Sequence, residues 1–345
     1  DSNNNYNDEV AENKSVFDFI INLNRYEKLK EIGSGSSGSV FLIKDKETDK
    51  LFAAKILKKD TEEYDENDLK TFYRGINIMI QLSHPAILRA IGFNTVNFVN
   101  KPKPTIIFEF MQGTLRDLLK LKENGASPPE WNNEKKLIMI LGIANGMSYL
   151  HSKCILHNDL KPENILIDEY LHPKICDYIR IKQSKSSLIT LSFKQAMEPM
   201  YMAPEVLNNN NPVKESDVYT FSLICYEIIT GKFPYEYKNM LHLFNIIMSG
   251  KRPTLDSSIP NGLKDLITKC WQQDIKCRPS FQEIVNLLKD PAIYNEYLKD
   301  DNDEYLKYIN YIENYSISTN IEQLFTKVNI ITDSEIKQLV EKSLI

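Results

Sequence analysis

The sequence lacks the features that mark secreted, membrane-spanning or nucleic-acid-binding proteins. Its five cysteines are odd in number and form no C-x-x-C pair, which is typical of structural thiols in a reducing compartment and gives no zinc-binding pattern. The longest apolar run, residues 137–144, is far too short to span a bilayer. The formal net charge of −5 argues against nucleic acid or an anionic membrane as a main partner. No basic, apolar targeting segment opens the sequence, so we expect a cytoplasmic protein.

Glycine is also scarce, yet three of the 12 glycines lie close together, at Gly33, Gly35 and Gly38. Because glycine has no Cβ, its backbone N–H can approach phosphate oxygens closely, and the cluster therefore predicts phosphate binding. A lone G-x-G-x-x-G motif fits a dinucleotide-binding fold equally well, but that fold needs a helix directly after the glycines. Residues 39–44 and 51–57 are instead typical of two strands joined by a charged turn, which predicts a glycine-rich hairpin.

The densest group of reactive side chains lies in the segment H-N-D-L-K-P-E-N and in an aspartate 13 residues after its end. Asp159 can orient a hydroxyl and accept its proton, and Lys161 can neutralise a migrating phosphate. Asn164 and Asp177 carry the oxygen ligands that Mg²⁺ prefers. Lys55 stands in an otherwise apolar strand, 17 residues after the last clustered glycine, which favours a phosphate contact over a solvated lysine. Together these residues predict phosphoryl transfer.

The glycine-rich hairpin, the strand lysine, the catalytic loop and the later aspartate resemble the eukaryotic protein kinases in kind and in order. The M-A-P-E segment is similar to the family's A-P-E segment, and its Glu205 is expected to pair with Arg278 of R-P-S-F. The S-D-V-Y segment resembles the start of the family's large buried helix, whose aspartate, Asp217, is expected to brace the catalytic loop. The Y-M-A-P-E and R-P-S-F segments are most similar to the tyrosine-kinase-like (TKL) group of serine/threonine kinases.

The resemblance implies an α+β, bilobal protein-kinase-like fold, with a small β-rich N-lobe that has one main helix and a large, mainly α-helical C-lobe. It implies transfer of the γ-phosphate of ATP, with Mg²⁺, to serine or threonine hydroxyls of protein substrates. We expect a kinase domain over residues 26–291, and a helical C-terminal extension that offers a surface to a signalling partner. The expected divisions are an Asn-rich acidic extension (1–25), the N-lobe (26–109), the hinge (109–112), the C-lobe (113–291) and the C-terminal extension (292–345).

The resemblance also implies a role for each matching residue. Asp159 and Lys161 are the expected catalytic residues, and Asn164 and Asp177 are the expected Mg²⁺ ligands. The expected ATP-binding residues come from the glycine-rich hairpin, the lysine strand, the hinge and the strand after the catalytic loop: Ile32, Gly33, Gly35, Gly38, Val40, Ala53, Lys55, Glu109, Met111 and Leu166.

Four positions depart from the family's pattern. Gly75 stands where the family has the helix glutamate that pairs with the strand lysine, and Asn158 replaces the H-R-D arginine, which grips a phosphorylated activation loop. Ile179 replaces the flexible glycine of D-F-G, and Glu198 replaces a threonine. Two alternatives therefore stay open: an active serine/threonine kinase, and a pseudokinase scaffold that binds nucleotide weakly or not at all and acts through protein interactions. A small-molecule kinase of the same fold is disfavoured by the A-P-E segment.

Overall fold

The computed structural model describes residues 16–35, 38–60, 66–123, 125–178, 199–208, 210–299 and 302–318. These residues divide into two compact units. The first unit holds the described residues up to 80 together with residues 90–109, and the second holds residues 81–89 and those from 110 onward. The first 15 residues of the predicted N-terminal extension, and both Ile179 and Glu198, lie outside the described residues.

The first unit is built on a five-stranded antiparallel sheet. In the spatial order β1-β2-β3-β5-β4, its strands are β1 (Tyr26–Ser34), β2 (Gly38–Asp45), β3 (Leu51–Leu57), β5 (Thr105–Glu109) and β4 (Ala90–Asn94). The strands predicted at residues 39–44 and 51–57 are β2 and β3. Since side chains alternate along a strand, Ile43, Ala54 and Ile107 share one face of the sheet, where all three are fully buried.

The first unit also contains the helix that the sequence predicts from its apolar spacing, α1 (Glu66–Gln81). Phe72, Tyr73 and Ile76 lie on its buried face. Tyr73 packs against Phe93 of β4, with ring centroids 6.3 Å apart, and Phe93 pairs with Ile106, so α1 packs on the face of the sheet opposite to Ile107.

The second unit is mainly helical. Its helices are α2 (Leu115–Glu123), α3 (Asn133–Ser152), α4 (Pro204–Leu207), α5 (Lys214–Thr230), α6 (Met240–Met248), α7 (Asn261–Cys270), α8 (Phe281–Leu288), α9 (Pro291–Leu298) and α10 (Asp303–Ser318). Three short strands, β6 (Gly113–Thr114), β7 (Ile165–Ile167) and β8 (Pro173–Ile175), form an antiparallel sheet. The helices α3 and α5 are buried along most of their length, and the burial of α5 is the one that the resemblance predicts. The helix α5 ends at Gly231, whose φ of +71° favours glycine. A sheet in the first unit and helices in the second confirm the predicted α+β fold.

The last two helices belong to the same unit. Tyr294 and Tyr297 of α9, and Tyr305 and Tyr308 of α10, are buried, as the tyrosine spacing predicts. The backbone N–H of Tyr305 donates to Oε1 of Glu134 in α3 at 2.8 Å, so α10 packs directly on that helix. No helix in the described part of the chain is long and apolar enough to cross a membrane.

Candidate active site

A buried carboxylate of α5 holds the segment that carries Asp159. Oδ2 of Asp217 accepts a hydrogen bond from the backbone N–H of His157 at 2.9 Å, and Oδ1 accepts one from that of Asn158 at 3.0 Å. Nε2 of His151, a buried residue of α3, lies 2.9 Å from the same Oδ2. Asp217 is only 3% exposed, so these bonds are made away from water, where an unsatisfied donor is costly. The predicted brace is therefore present.

Asp159, Lys161 and Asn164 form a compact polar group directly after this brace. The amide nitrogen of Asn164 donates to the backbone oxygen of Asp159 at 2.7 Å and lies 3.2 Å from its Oδ2. Nζ of Lys161 lies 3.9 Å from Oδ1 of Asp159, and these two side chains are 19% and 13% exposed. A 3₁₀ turn, Pro162–Asn164, brings Asn164 back towards Asp159. A carboxylate, a cation and an amide are thus grouped, and the carboxylate and the cation are both partly exposed.

Asp177 follows β8 and is held beside the same loop. The backbone N–H of Cys176 donates to the backbone oxygen of Asn164 at 3.0 Å. Nε2 of His157 lies 3.0 Å from the backbone oxygen of Cys176, and Nδ1 accepts from the N–H of Asp159 at 3.3 Å. Burial lowers the pKa of His157, so the ring is neutral and Nε2 carries its proton towards the carbonyl. One buried imidazole therefore joins the loop to the segment that presents Asp177.

The donors at Asn164 and Asp177 fit a Mg²⁺ ion that arrives with a nucleotide. Mg²⁺ prefers hard oxygen ligands and is commonly bound by one or two carboxylates together with substrate phosphates. The amide nitrogen of Asn164 is directed at Asp159, which leaves the amide oxygen as its metal-binding atom. Within the described residues, no group of three or more His, Cys, Asp or Glu side chains could hold a metal ion. Asn164 and Asp177 thus present oxygen atoms of the kind that would hold Mg²⁺ together with phosphate.

In the first unit, strand register brings predicted nucleotide-binding residues onto one face of the sheet. Val40 of β2 pairs with Lys55 of β3, and Ala53 pairs with Phe108 of β5. These four residues are half-buried, and they lie on the face opposite to the buried Ala54. The register therefore groups a lysine with apolar side chains beside the glycine-rich turn.

The three clustered glycines have different surroundings. A Cβ at Gly33 or Gly35 would meet no atom within 4 Å, so both positions leave open space for a ligand. A Cβ at Gly38 would overlap the carbonyl oxygen of Ile56 and lie 3.1 Å from Cα of Leu57. Gly38 is thus required by the close approach of β2 to β3, a reason that the motif alone does not reveal.

The remaining predicted ATP-binding residues lie at strand ends and on strand faces. Ile32 of β1 is 43% exposed. Glu109 is the last residue of β5, Met111 follows it by two residues, and both are half-buried. Leu166 is half-buried between two buried residues of β7, so its side chain faces away from the core of the second unit.

Two of the four departures from the kinase pattern lie among the described residues. Gly75 is buried inside α1, and glycine in a helix interior costs about 1 kcal/mol relative to alanine. Asn158 has a φ of +62°, the left-handed region that asparagine adopts more readily than most residues. Its Oδ1 is buried and makes no hydrogen bond to any residue the structure describes. Asparagine thus suits the backbone at this position, although it carries no charge that could bind a phosphate.

The predicted pair between Glu205 and Arg278 is present. Nη1 and Nη2 of Arg278 donate to Oε1 and Oε2 of Glu205 at 2.7 and 2.9 Å, and the hydroxyl of Ser216 donates to Oε1 at 2.7 Å. The arginine side chain is fully buried. Burial alone would raise the pKa of Glu205, but the hydrogen bonds and charge of Arg278 outweigh it and lower that pKa. The A-P-E segment is therefore locked onto the late R-P-S-F segment.

A second buried ionic cluster was not predicted from the sequence. Arg116 of α2 donates through Nε to Oε1 of Glu163 at 2.6 Å and through Nη1 to Oε2 of Glu227 at 2.8 Å. The hydroxyl of Tyr201 bonds to both Arg116 and Glu227. Burial raises the pKa of Glu227 to about 7 in spite of the adjacent arginine. The only sequence signal for this cluster is an acidic residue inside the otherwise apolar part of α5.

The fold and this site together define a protein kinase domain. The chain matches the protein kinase domain family over residues 26–288, and it belongs to that family. One relative, a protein of Acanthamoeba polyphaga mimivirus named as a serine/threonine-protein kinase/receptor, is 34% identical over 275 residues, which cover 78% of this chain and 16% of the relative.

Two further relatives come from cellular organisms. A dual specificity protein kinase of Dictyostelium discoideum is 36% identical over 273 residues, which cover 76% of this chain and 36% of the relative. A serine/threonine-protein kinase of Arabidopsis thaliana is 31% identical over 262 residues, which cover 75% of this chain and 43% of the relative. The chain therefore spans less than half the length of these relatives.

Proposed function

We propose that this chain is an active, ATP-dependent protein kinase that phosphorylates serine or threonine hydroxyls of protein substrates. The observation that carries the proposal is the geometry around Asp159, whose carboxylate lies 3.2 Å from Asn164 and 3.9 Å from Lys161. The backbone of this loop is fixed by the buried Asp217. The groups proposed to act in one transition state thus lie close together before substrate binds, an arrangement that would lower the barrier to phosphoryl transfer.

Each residue of this group has a proposed chemical role. Asp159 would orient the substrate hydroxyl and accept its proton as the oxygen forms a bond to the γ-phosphorus and the bond to ADP breaks. Lys161 would neutralise charge on the migrating phosphoryl group. Asn164 and Asp177 would hold Mg²⁺, which supplies further neutralisation of the phosphate oxygens when it is bound.

The nucleotide contacts follow from strand register and open space. Phosphate would approach the hairpin closely at Gly33 and Gly35, because a Cβ there would meet no atom within 4 Å, and the N–H of Gly35 donates to the carbonyl oxygen of Gly38 at 2.9 Å within the same turn. Lys55 would contact the α- and β-phosphates, and Val40 and Ala53, on the same face of the sheet, would contact the adenine. Ile32 and Leu166 would add apolar contacts, and the backbones of Glu109 and Met111 would offer hydrogen bonds to adenine.

The amino-acid specificity and the group within the family are part of this proposal. The Glu205–Arg278 pair joins the M-A-P-E and R-P-S-F segments, and the sequences of these segments are most similar to those of the TKL group. The Arabidopsis relative is named a serine/threonine kinase, whereas the Dictyostelium relative is named a dual specificity kinase. Serine and threonine are therefore the expected acceptors, and tyrosine belongs in the test.

The test uses the full chain, Mg²⁺·ATP labelled on the γ-phosphate, and three peptides that differ only in a central serine, threonine or tyrosine. We expect label on serine and threonine peptides at a rate at least 100-fold above that of Asp159→Asn, which keeps the side chain's shape and removes its basicity. Glu169→Gln, at an exposed position of the β7–β8 turn, is the matched control and should keep wild-type activity.

A thermal-shift titration with ATP separates binding from transfer. Stabilisation by Mg²⁺·ATP without labelling of any peptide or of the chain itself would support the pseudokinase alternative instead. An absence of stabilisation at millimolar ATP, with and without Mg²⁺, would contradict nucleotide binding altogether. A preference for the tyrosine peptide would contradict the serine/threonine assignment alone.

A further inference from the structure

The helix α10 begins well after the end of the kinase match at residue 288 and contacts two segments of its own unit. The hydroxyl of Tyr315 forms a hydrogen bond with Oγ of Ser83, and its ring lies 6.5 Å from the ring of His84. The ring of Tyr308 lies 4.7 Å from that of His172, the residue before β8. One helix therefore contacts both the loop after α1 and the start of β8.

The helix α10 is itself fixed in the second unit by buried side chains. Tyr305 is fully buried, its N–H donates to Oε1 of Glu134, and its hydroxyl donates to the backbone oxygen of Leu288 at 2.8 Å. A Cβ at Gly142 of α3 would lie 2.5 Å from the hydroxyl of Tyr308 and 2.9 Å from Cδ of Pro173. The close approach of α3, α10 and β8 at this point therefore depends on a glycine.

The two contacted segments pair with each other immediately before Asp177. The N–H of Ile175 donates to the backbone oxygen of Ala86 at 2.8 Å, and the N–H of Leu88 donates to the backbone oxygen of Ile175 at 2.9 Å. Beyond the strand, the hydroxyl of Tyr178 donates to the backbone oxygen of Leu88 at 3.3 Å. The residues on both sides of Asp177 are thus bonded to the loop that Tyr315 contacts.

From these contacts we infer that α10 is a positioning element for Asp177. It acts through Tyr315 on the loop Ser83–Leu88 and through Tyr308 on the start of β8, and together these fix the metal-binding carboxylate. The inference rests on the proposed function for the role of Asp177 in holding Mg²⁺. Its structural part, that α10 sets the order of this segment, can be tested on the protein without nucleotide.

The first experiment measures amide hydrogen exchange in the full chain without ATP. Tyr315→Ala is compared with Tyr237→Ala, which removes the same atoms at a position of the same unit that is 39% exposed. We expect exchange at Leu88, Ile175 and Cys176 to be at least about tenfold faster in Tyr315→Ala and unchanged in Tyr237→Ala, because local opening sets these rates. Amides of β2 and β3 should be unchanged in both variants.

The second experiment measures thermal stabilisation by ATP as Mg²⁺ is titrated. Misplacement of Asp177 should raise the half-saturating Mg²⁺ concentration at least about fivefold in Tyr315→Ala and leave stabilisation by metal-free ATP unchanged. A variant whose fold is merely weakened would instead lose both the Mg²⁺-dependent and the metal-free stabilisation by ATP. Equal exchange and equal Mg²⁺ dependence in the Tyr315 and Tyr237 variants would overturn the inference.

Two outcomes need a separate reading. If Tyr315→Ala does not fold, it is replaced in the same experiments by Ser83→Ala, which removes only the partner hydroxyl from an exposed loop residue. Amide exchange should again become faster and the half-saturating Mg²⁺ concentration should again rise. If the wild-type chain shows no ATP-dependent stabilisation, the proposed function fails. The hydrogen-exchange comparison then decides by itself whether α10 orders the segment around Asp177.

Discussion

The loop that carries Asp159 and the hairpin that carries Gly33 and Gly35 are held in different ways. The loop is fixed by buried side chains, since Asp217 accepts hydrogen bonds from the N–H groups of His157 and Asn158, and the ring of His157 accepts one from the N–H of Asp159. The hairpin is held by backbone pairing between β1 and β2, with two register shifts, and every residue of β1 after its first is exposed. The groups proposed to perform the chemistry are thus preorganised by buried polar bonds, whereas the strand that leads into the proposed phosphate-binding turn is exposed.

The largest expected effect comes from breaking the loop's brace with Asp217→Ala. Loss of this carboxylate leaves the N–H groups of His157 and Asn158 buried without their acceptor, which costs about 1–3 kcal/mol for each group. We expect the free energy of unfolding, measured by urea denaturation, to fall by about 4 kcal/mol. Phosphorylation at a temperature where the variant is folded should fall about 100-fold.

Asp265→Ala in α7 is the matched control, because it removes the same carboxylate from an exposed helix position. Its free energy of unfolding should stay within about 0.5 kcal/mol of the wild-type value. If Asp217→Ala lowered the unfolding free energy as little as Asp265→Ala, other contacts would have to hold the loop. The buried carboxylate would then no longer distinguish the loop from the hairpin.

The next effect concerns the pair between Glu205 and Arg278. Arg278→Met removes the only charge that the structure shows paired with the carboxylate of Glu205 within the described residues, and it keeps much of the side chain's volume. Breaking one side of a buried pair costs about 3–5 kcal/mol, so we expect a loss near 3 kcal/mol by urea denaturation. Glu205→Gln should cost less, since the amide keeps one oxygen for the arginine.

The same pair gives a pH prediction. The pKa of Glu205 is lower in the folded protein than its ordinary value of 4.5, so its stabilising contribution is complete above about pH 4.5. It is lost as the pH falls through the lower, folded-state pKa. The difference in unfolding free energy between wild type and Glu205→Gln should therefore be constant from pH 8 to 5.5 and shrink below pH 4.5. A constant difference down to pH 3 would show that the pair does not lower this pKa.

Much of the fold and part of the site were predictable from local sequence. Two strand-like segments joined by a charged turn predicted β2 and β3, apolar spacing predicted α1, and the resemblance to kinases led to Asp217 and Arg278. Distant contacts that no kinase motif marks were not predictable, because no periodicity links partners such as Arg116 and Glu227, which are 111 positions apart. The hydrogen bond between Ser83 and Tyr315 joins residues 232 positions apart, and it depends on how α10 packs.

A smaller effect is expected in the hairpin, where substitutions of two glycines can be compared. Gly38→Ala would place a methyl group on the carbonyl of Ile56, so β2 and β3 must separate, and overpacking of this kind costs about 1–3 kcal/mol. Gly33→Ala enters open space and should change the unfolding free energy by less than about 0.5 kcal/mol. ATP affinity should nevertheless fall in Gly33→Ala, because its methyl group occupies space offered to phosphate. Equal losses of unfolding free energy in Gly38→Ala and Gly33→Ala would contradict a packing role for Gly38 and a ligand-binding role for Gly33.

The smallest expected effect lies in the loop, at Asn158. Its φ of +62° disfavours residues with a Cβ by about 1–2 kcal/mol, with asparagine less affected and glycine not affected. Its buried Oδ1 makes no hydrogen bond to the described residues, so loss of the amide removes no such bond. We therefore expect Asn158→Ala to lose about 1 kcal/mol of unfolding free energy and Asn158→Gly to lose less than about 0.5 kcal/mol. Turnover should be similar in both variants, because Asp217 still fixes the backbone of this loop. A greater loss in Asn158→Gly than in Asn158→Ala would show that the side chain, rather than the left-handed backbone, is what this position requires.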